Sequence, residues 1–139
     1  MFVLDTNVVS ELRKVQSGRA NPHVARWAAN ADANTLFISA ITILEIEIGI
    51  LRVERRDARQ GAMLRAWLED KVLTEFSDRT LPIDTAVARR CASMHVPHLC
   101  SERDALIAAT ASVHGMTIVT ENEEDFLSTG VRVFNPWLG

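Results

Sequence analysis

The amino-acid sequence predicts an α/β fold: a central, mainly parallel sheet flanked by helices, in one domain over residues 1–139. Two observations predict it. Short apolar runs that read as strands alternate along the chain with longer segments of helical period. No linker, low-complexity tract or internal repeat interrupts that alternation, and the length suits one domain with a sizeable core.

The elements follow in order. Met1 to Leu4 is a short apolar strand, and Thr6 to Lys14 places Val8, Val9 and Leu12 at helical spacing. Asn21-Pro22 opens a second helix carrying Val24, Trp27 and Ala28, and Thr35 to Ser39 reads as a second strand. Ile41 to Val53 is apolar nearly all round and is expected to be a buried helix. Asp57 to Phe76 reads as one long amphipathic segment with Met63, Leu64, Trp67, Leu68 and Val72 on a single stripe. Asp84 to Met94 is a further helix and Pro97 marks a loop. Arg103 to His114 is an Ala-rich helix closed by Gly115, and Met116 to Val119 is a third core strand. Val131 to Phe134 adds an edge strand.

Composition narrows the function. The 47% hydrophobic and 24% charged fractions are ordinary for a water-soluble protein, and no apolar run approaches the about 20 residues of a membrane span. No leader pattern is visible and there are only two cysteines, so a cytoplasmic location is expected. The net charge of -3 supplies no global basic field, so a nucleic-acid partner must be held by local patches or metal ions.

Five acidic residues draw attention. Asp5 follows the first strand, at the end of a parallel sheet where ligands bind, although an acid there is also a good helix N-cap. Glu45 and Glu47 lie in the apolar helix, where a charge needs a partner, a proton or a metal. Spacing alone leaves the two equal. Asp104 opens a helix and fits a capping box with Ser101. After the third core strand, Thr120 or Asn122 fits as the cap of a short helix with Asp125 in its first turn.

Together, the strings LDTN, SAITxxExxxG, DALIAA, TxNxxDF and the closing VFNPW resemble the PIN-domain ribonucleases, most nearly the VapC and FitB type toxins of bacterial toxin–antitoxin pairs. The resemblance covers essentially the whole chain. It implies that Asp5, Glu45 and Asp104 bind Mg²⁺ or Mn²⁺, and it selects Glu45 over Glu47. It places Asn122 where many relatives carry a fourth acid, with Thr6, Thr120 and Asp125 as secondary candidates. It further implies an RNA substrate such as tRNA or rRNA, a small cognate antitoxin and a homodimer. Such an ion activates water for in-line attack on a phosphodiester, so no nucleophilic side chain is required.

Other readings fare less well. An aspartyl-phosphate phosphatase needs a second acid where Asn7 stands, and a receiver-like domain needs a late lysine, whereas the only lysines are Lys14 and Lys71. The remaining rival is a catalytically weak or silent protein of the same fold that acts through its antitoxin complex. Glu47 and Glu121, standing where the resembling proteins often carry a base, favour it.

Overall fold

The computed structural model describes all 139 residues. Its five strands are all parallel, in the order β3-β2-β1-β4-β5: β1 Phe2–Leu4, β2 Leu36–Ser39, β3 Thr80–Leu81, β4 Thr117–Val119 and β5 Val133–Phe134. β1 is central, with Phe2 in register with Leu36 on one side and Thr117 on the other. The chain leaves β1 toward β2 and later returns to β1's other edge as β4. That reversal creates a crevice at the carboxyl ends of β1 and β4.

Because side chains alternate along a strand, each strand supplies both faces of the sheet. Leu4, Ile38 and Val119 join Val8, Ile46, Ile50 and Leu68 in one core, while Val3 and Ile118 join Ile107, Ala108 and Phe126 in the other. The helices are α1 Thr6–Leu12, α2 Pro22–Asn30, α3 Ala40–Arg56, α4 Ala58–Trp67, α5 Leu73–Glu75, α6 Thr85–Met94 and α7 Glu102–Val113. Six successive side chains of α7 apart from Leu106 are fully buried, from Ala105 through Ala111. The four alanines among them let the helix lie close to the sheet and to α6, so its first turn reaches the crevice.

Several expectations need correction. β3 was not anticipated, because a two-residue strand has no periodicity to read. It is positioned by Arg79, whose guanidinium donates to the carbonyls of Ala33, Leu36 and Glu75 and to the Glu75 carboxylate, and lies over the Phe76 ring. The segment from Asp57 to Phe76 is divided by a π-helical turn, Leu68–Val72, between α4 and α5. This keeps Leu68 and Val72 in the core while Met63 is exposed. α3 is not buried all round, since Leu44 and Leu51 face solvent. Its burial follows Ile41, Ile46 and Ile50, which contact the sheet. The edge strand is shorter than expected, Val133–Phe134.

The α3–α4 hairpin is tight at one point. A Cβ at Gly61 would lie 2.6 Å from Glu54 Cγ and 2.8 Å from its Cα, so glycine is required for the close backbone approach. That approach lets Arg65 reach both Glu47 and Glu54. Gly61→Ala is expected to destabilise the protein by about 1–3 kcal/mol through overpacking. Thermal unfolding checks this: the variant melts several degrees lower, and an unchanged Tm would show that the helices part freely.

Candidate active site

Asp5 lies immediately beyond β1, and its backbone N–H continues the sheet by donating to the Val119 carbonyl at 2.9 Å. The side chain is only 6% exposed. Its Oδ1 accepts from the Thr6 N–H at 2.8 Å, while Oδ2 accepts from the Thr120 hydroxyl at 2.7 Å and the Asn7 amide at 3.4 Å. The capping and site readings of Asp5 therefore coexist: one oxygen serves the start of α1, and the other faces the end of β4. Burial raises its pKa above the ordinary value, aided by the charges of Glu45 and Asp125 and opposed by the Thr120 and Thr6 hydrogen bonds.

Glu45 reaches the same place from α3, which starts directly after β2 with Ser39 as its cap, Oγ accepting from the Ile41 N–H. Its Oε1 accepts from the Thr6 hydroxyl at 2.6 Å, and Thr6 Oγ1 lies 3.2 Å from the buried Thr42 hydroxyl. Glu47 points elsewhere, pairing with Arg65 on α4, which also binds Glu54 at 3.0 Å. The ambiguity between the two helical faces is thus a difference in surroundings: Glu45 is hydrogen-bonded by Thr6 with Arg103 only at 3.8 Å from its other oxygen, whereas Glu47 is hydrogen-bonded by Arg65.

Asp104 occupies the first turn of α7, but Ser101 makes no side-chain capping bond there. Burial, then the charges of Asp125, Asp5 and Glu45, push its pKa up to about 6. Asp125 belongs to the 3-10 turn Glu123–Thr129 after β4 and, though exposed, acts electrostatically on both Asp5 and Asp104. Asn122 is exposed and contributes its backbone N–H, which donates to Thr120 Oγ1 at 3.0 Å. Of the two expected residues after β4, Asp125 therefore adds the charge, and Thr120 links the turn to Asp5. Sequence reasoning assigned no role to Asn7 or Thr42. Asn7 ties the crevice together, its Nδ2 donating to Asp5 and, at 3.3 Å, to Thr120, while its Oδ1 accepts from the Glu121 N–H. Its place in LDTN was the one available signal.

The donor set is all oxygen, which suits a hard divalent cation. No three Asp, Glu, His or Cys side chains converge closely enough to chelate an ion by themselves. A site of this kind fits a cation that keeps several waters, as Mg²⁺ does, held by one or two carboxylates directly and by the others through water. Neighbouring carboxylates add to burial in raising the pKa values of Asp5 and Asp104, and a cation among them offsets that charge.

Comparisons with known proteins agree in family. The PIN domain family model matches residues 2–131. The VapC ribonuclease Y4jK of Sinorhizobium fredii is 34% identical over 99% of this chain and 98% of its own length. Toxin FitB of Neisseria gonorrhoeae is 34% identical over 99% of both chains. The crystal structure of FitAcB from the same organism superimposes with a TM-score of 0.88 at 32% identity, covering 99% of each chain.

The raised Asp104 pKa has a stability consequence. Unfolded, the group titrates near 3.8, and folded near 6. Its contribution to stability is therefore fully present below 3.8 and is lost as pH rises through about 6. Without divalent metal, Asp104→Asn is expected to melt higher than wild type at pH 7.5, with the difference closing near pH 4. A variant that melts lower at pH 7.5 would contradict the assigned repulsion.

Proposed function

The chain belongs to the PIN domain family, and from that premise we propose that it is a metal-dependent endoribonuclease acting as the toxin of a toxin–antitoxin pair. One observation carries the reading most: Asp5, Glu45, Asp104 and Asp125 come from four separate elements to the carboxyl ends of β1 and β4, where the charges of Glu45 and Asp125 add to burial in raising the pKa of Asp5, and those of Asp125, Asp5 and Glu45 in raising that of Asp104. Nothing in the packing of a small domain calls for that repulsion. A cation that in turn binds a phosphodiester does.

Asp5, Glu45 and Asp104 would hold Mg²⁺ or Mn²⁺. Bound there, the ion supplies a water acidic enough to attack at neutral pH and offsets the charge that builds on the phosphate. The protein's task is to keep the carboxylates aimed. Thr120 holds Asp5 Oδ2, Thr6 holds Glu45 Oε1, and both leave each acid's remaining bonding capacity toward the crevice. Asn122 and Asp125, on the turn above, border the path of the RNA strand. RNA loops of tRNA or rRNA and a homodimer follow from the family resemblance, and a cytoplasmic setting from the cysteine usage; no helix is long and apolar enough to cross a membrane.

The partner reading has physical support. A cavity of about 260 Å³ bordered by Thr6, Glu45, Gly49, Ile50 and Leu64 shares Arg13 and Trp67 with a neighbouring apolar one of about 230 Å³. The first lies between α1 and the α3–α4 hairpin and opens at Glu45, and the second continues past Trp67 between α1, α2 and the Leu68–Phe76 segment. An antitoxin helix laid along the two would bring a basic side chain to the acids, where it competes with the metal.

RNA cleavage with purified protein tests the reading. Cleavage is expected with Mg²⁺ or Mn²⁺, and is abolished by EDTA. Glu45→Gln is expected to lower turnover about 100-fold or more, in line with loss of transition-state electrostatics, and Glu47→Gln to stay within a few-fold. Adding the product of the adjacent small reading frame is expected to suppress cleavage. Cleavage in excess EDTA would overturn the mechanism, and tight association with that product without any cleavage would favour the silent binding protein.

A further inference from the structure

Arg103 stands apart from the arginines that carboxylates and carbonyls hold in place. Arg65 is locked between two carboxylates and Arg79 is bound on several sides by carbonyls and Glu75. The Arg103 guanidinium has a single partner: its Nη1 lies 3.8 Å from Glu45 Oε2, an ion pair without hydrogen-bond contact, with the arginine side chain 48% exposed and the glutamate 24%. No other cation lies within salt-bridge distance of Glu45, and none pairs with Asp5, Asp104 or Asp125.

The position has no local helical rationale. Arg103 is in the first turn of α7, where the helix dipole disfavours a positive charge, and its neighbours Glu102 and Asp104 are the acids that the dipole favours. What it does face is functional chemistry. Glu45 Oε1 is taken by Thr6 at 2.6 Å, so Oε2 is the oxygen open to a cation, and Arg103 rests against it.

Building on the proposed nuclease function, we infer that Arg103 is a two-position residue: it pairs with Glu45 while the metal is absent, and turns to a phosphate of the RNA when the metal takes that carboxylate. The first position offsets part of the repulsion in the acid cluster. The second provides a cation where an approaching RNA otherwise meets four acids on a protein of net charge -3. A guanidinium suits both, since its planar fork matches carboxylate and phosphate alike. The long, half-exposed pairing leaves it free to exchange between them.

The test compares wild type, Arg103→Gln and Arg103→Lys in two measurements. Mn²⁺ binding is titrated by electron paramagnetic resonance without RNA, and steady-state cleavage is followed across a salt series. Removing a competing partner is expected to tighten Mn²⁺ binding in Arg103→Gln about three- to fivefold, the scale of a partly exposed ion pair. Its KM for RNA is expected to rise about fivefold while kcat changes less, and the slope of log KM against log salt to fall by a little under one. Arg103→Lys, which keeps the charge, recovers much of the KM. Unchanged Mn²⁺ affinity or an unchanged KM and salt slope in Arg103→Gln overturns the two-position role. A wild-type protein that neither takes up Mn²⁺ nor cleaves RNA instead overturns the nuclease function itself, and this inference with it.

Discussion

The gathering of Asp5, Glu45, Asp104 and Asp125 in one partly buried crevice is the constraint around which this protein is arranged. Burying carboxylates in a shared crevice costs stability: burial first, and neighbouring acids second, raise the pKa values of Asp5 and Asp104. The fold tolerates the cost because no two of the acids share an element. Asp5 follows β1, Glu45 rides on α3, Asp104 starts α7 and Asp125 lies in the turn after β4. Each is carried by a segment with its own apolar anchor, respectively Leu4, Ile46, Ala105 and Phe126, all buried.

Neutral hydrogen-bonding groups then fix the acids without neutralising them. Thr120 and Asn7 hold Asp5, and Thr6, beside Thr42, holds Glu45. Hydroxyls and amides leave the negative charge in place, and the one cation beside the cluster, Arg103, sits at 3.8 Å from Glu45 Oε2 without a hydrogen bond. The basic side chains that form strong pairs are kept at a distance, with Arg65 on the α3–α4 hairpin and Arg79 beneath β2. Gly61 supports the first of these by letting the two helices meet.

Most of this plan was legible in the sequence where periodicity was long or residues local. The strand-to-helix step at Asp5, the Ala-rich α7 and the strand before Thr120 are patterns a few residues wide. β3 escaped because its placement rests on Arg79 reaching carbonyls some 40 residues away, at Ala33 and Leu36. The π turn at Leu68–Val72 escaped because its apolar spacing also fits an ordinary helix. Glu45 and Glu47 could not be separated by spacing because the distinction lies in what each faces, Thr6 or Arg65, and both partners are distant in the chain. Asn122 was singled out by its motif position, yet the charge on that turn that acts on Asp5 and Asp104 belongs to Asp125.

The central claim is that the acid cluster is a cation site whose repulsion an ion relieves. Thermal unfolding against rising MnCl₂, for wild type and Asp5→Asn, tests it most directly. Asparagine preserves the cap oxygen for the Thr6 N–H, so the variant keeps the start of α1. Wild-type Tm is predicted to climb with the logarithm of Mn²⁺ concentration, reflecting about 2.7 kcal/mol of linkage at a hundredfold excess over Kd, while Asp5→Asn stays nearly flat. An equal climb in both proteins, or none in the wild type, would contradict the account.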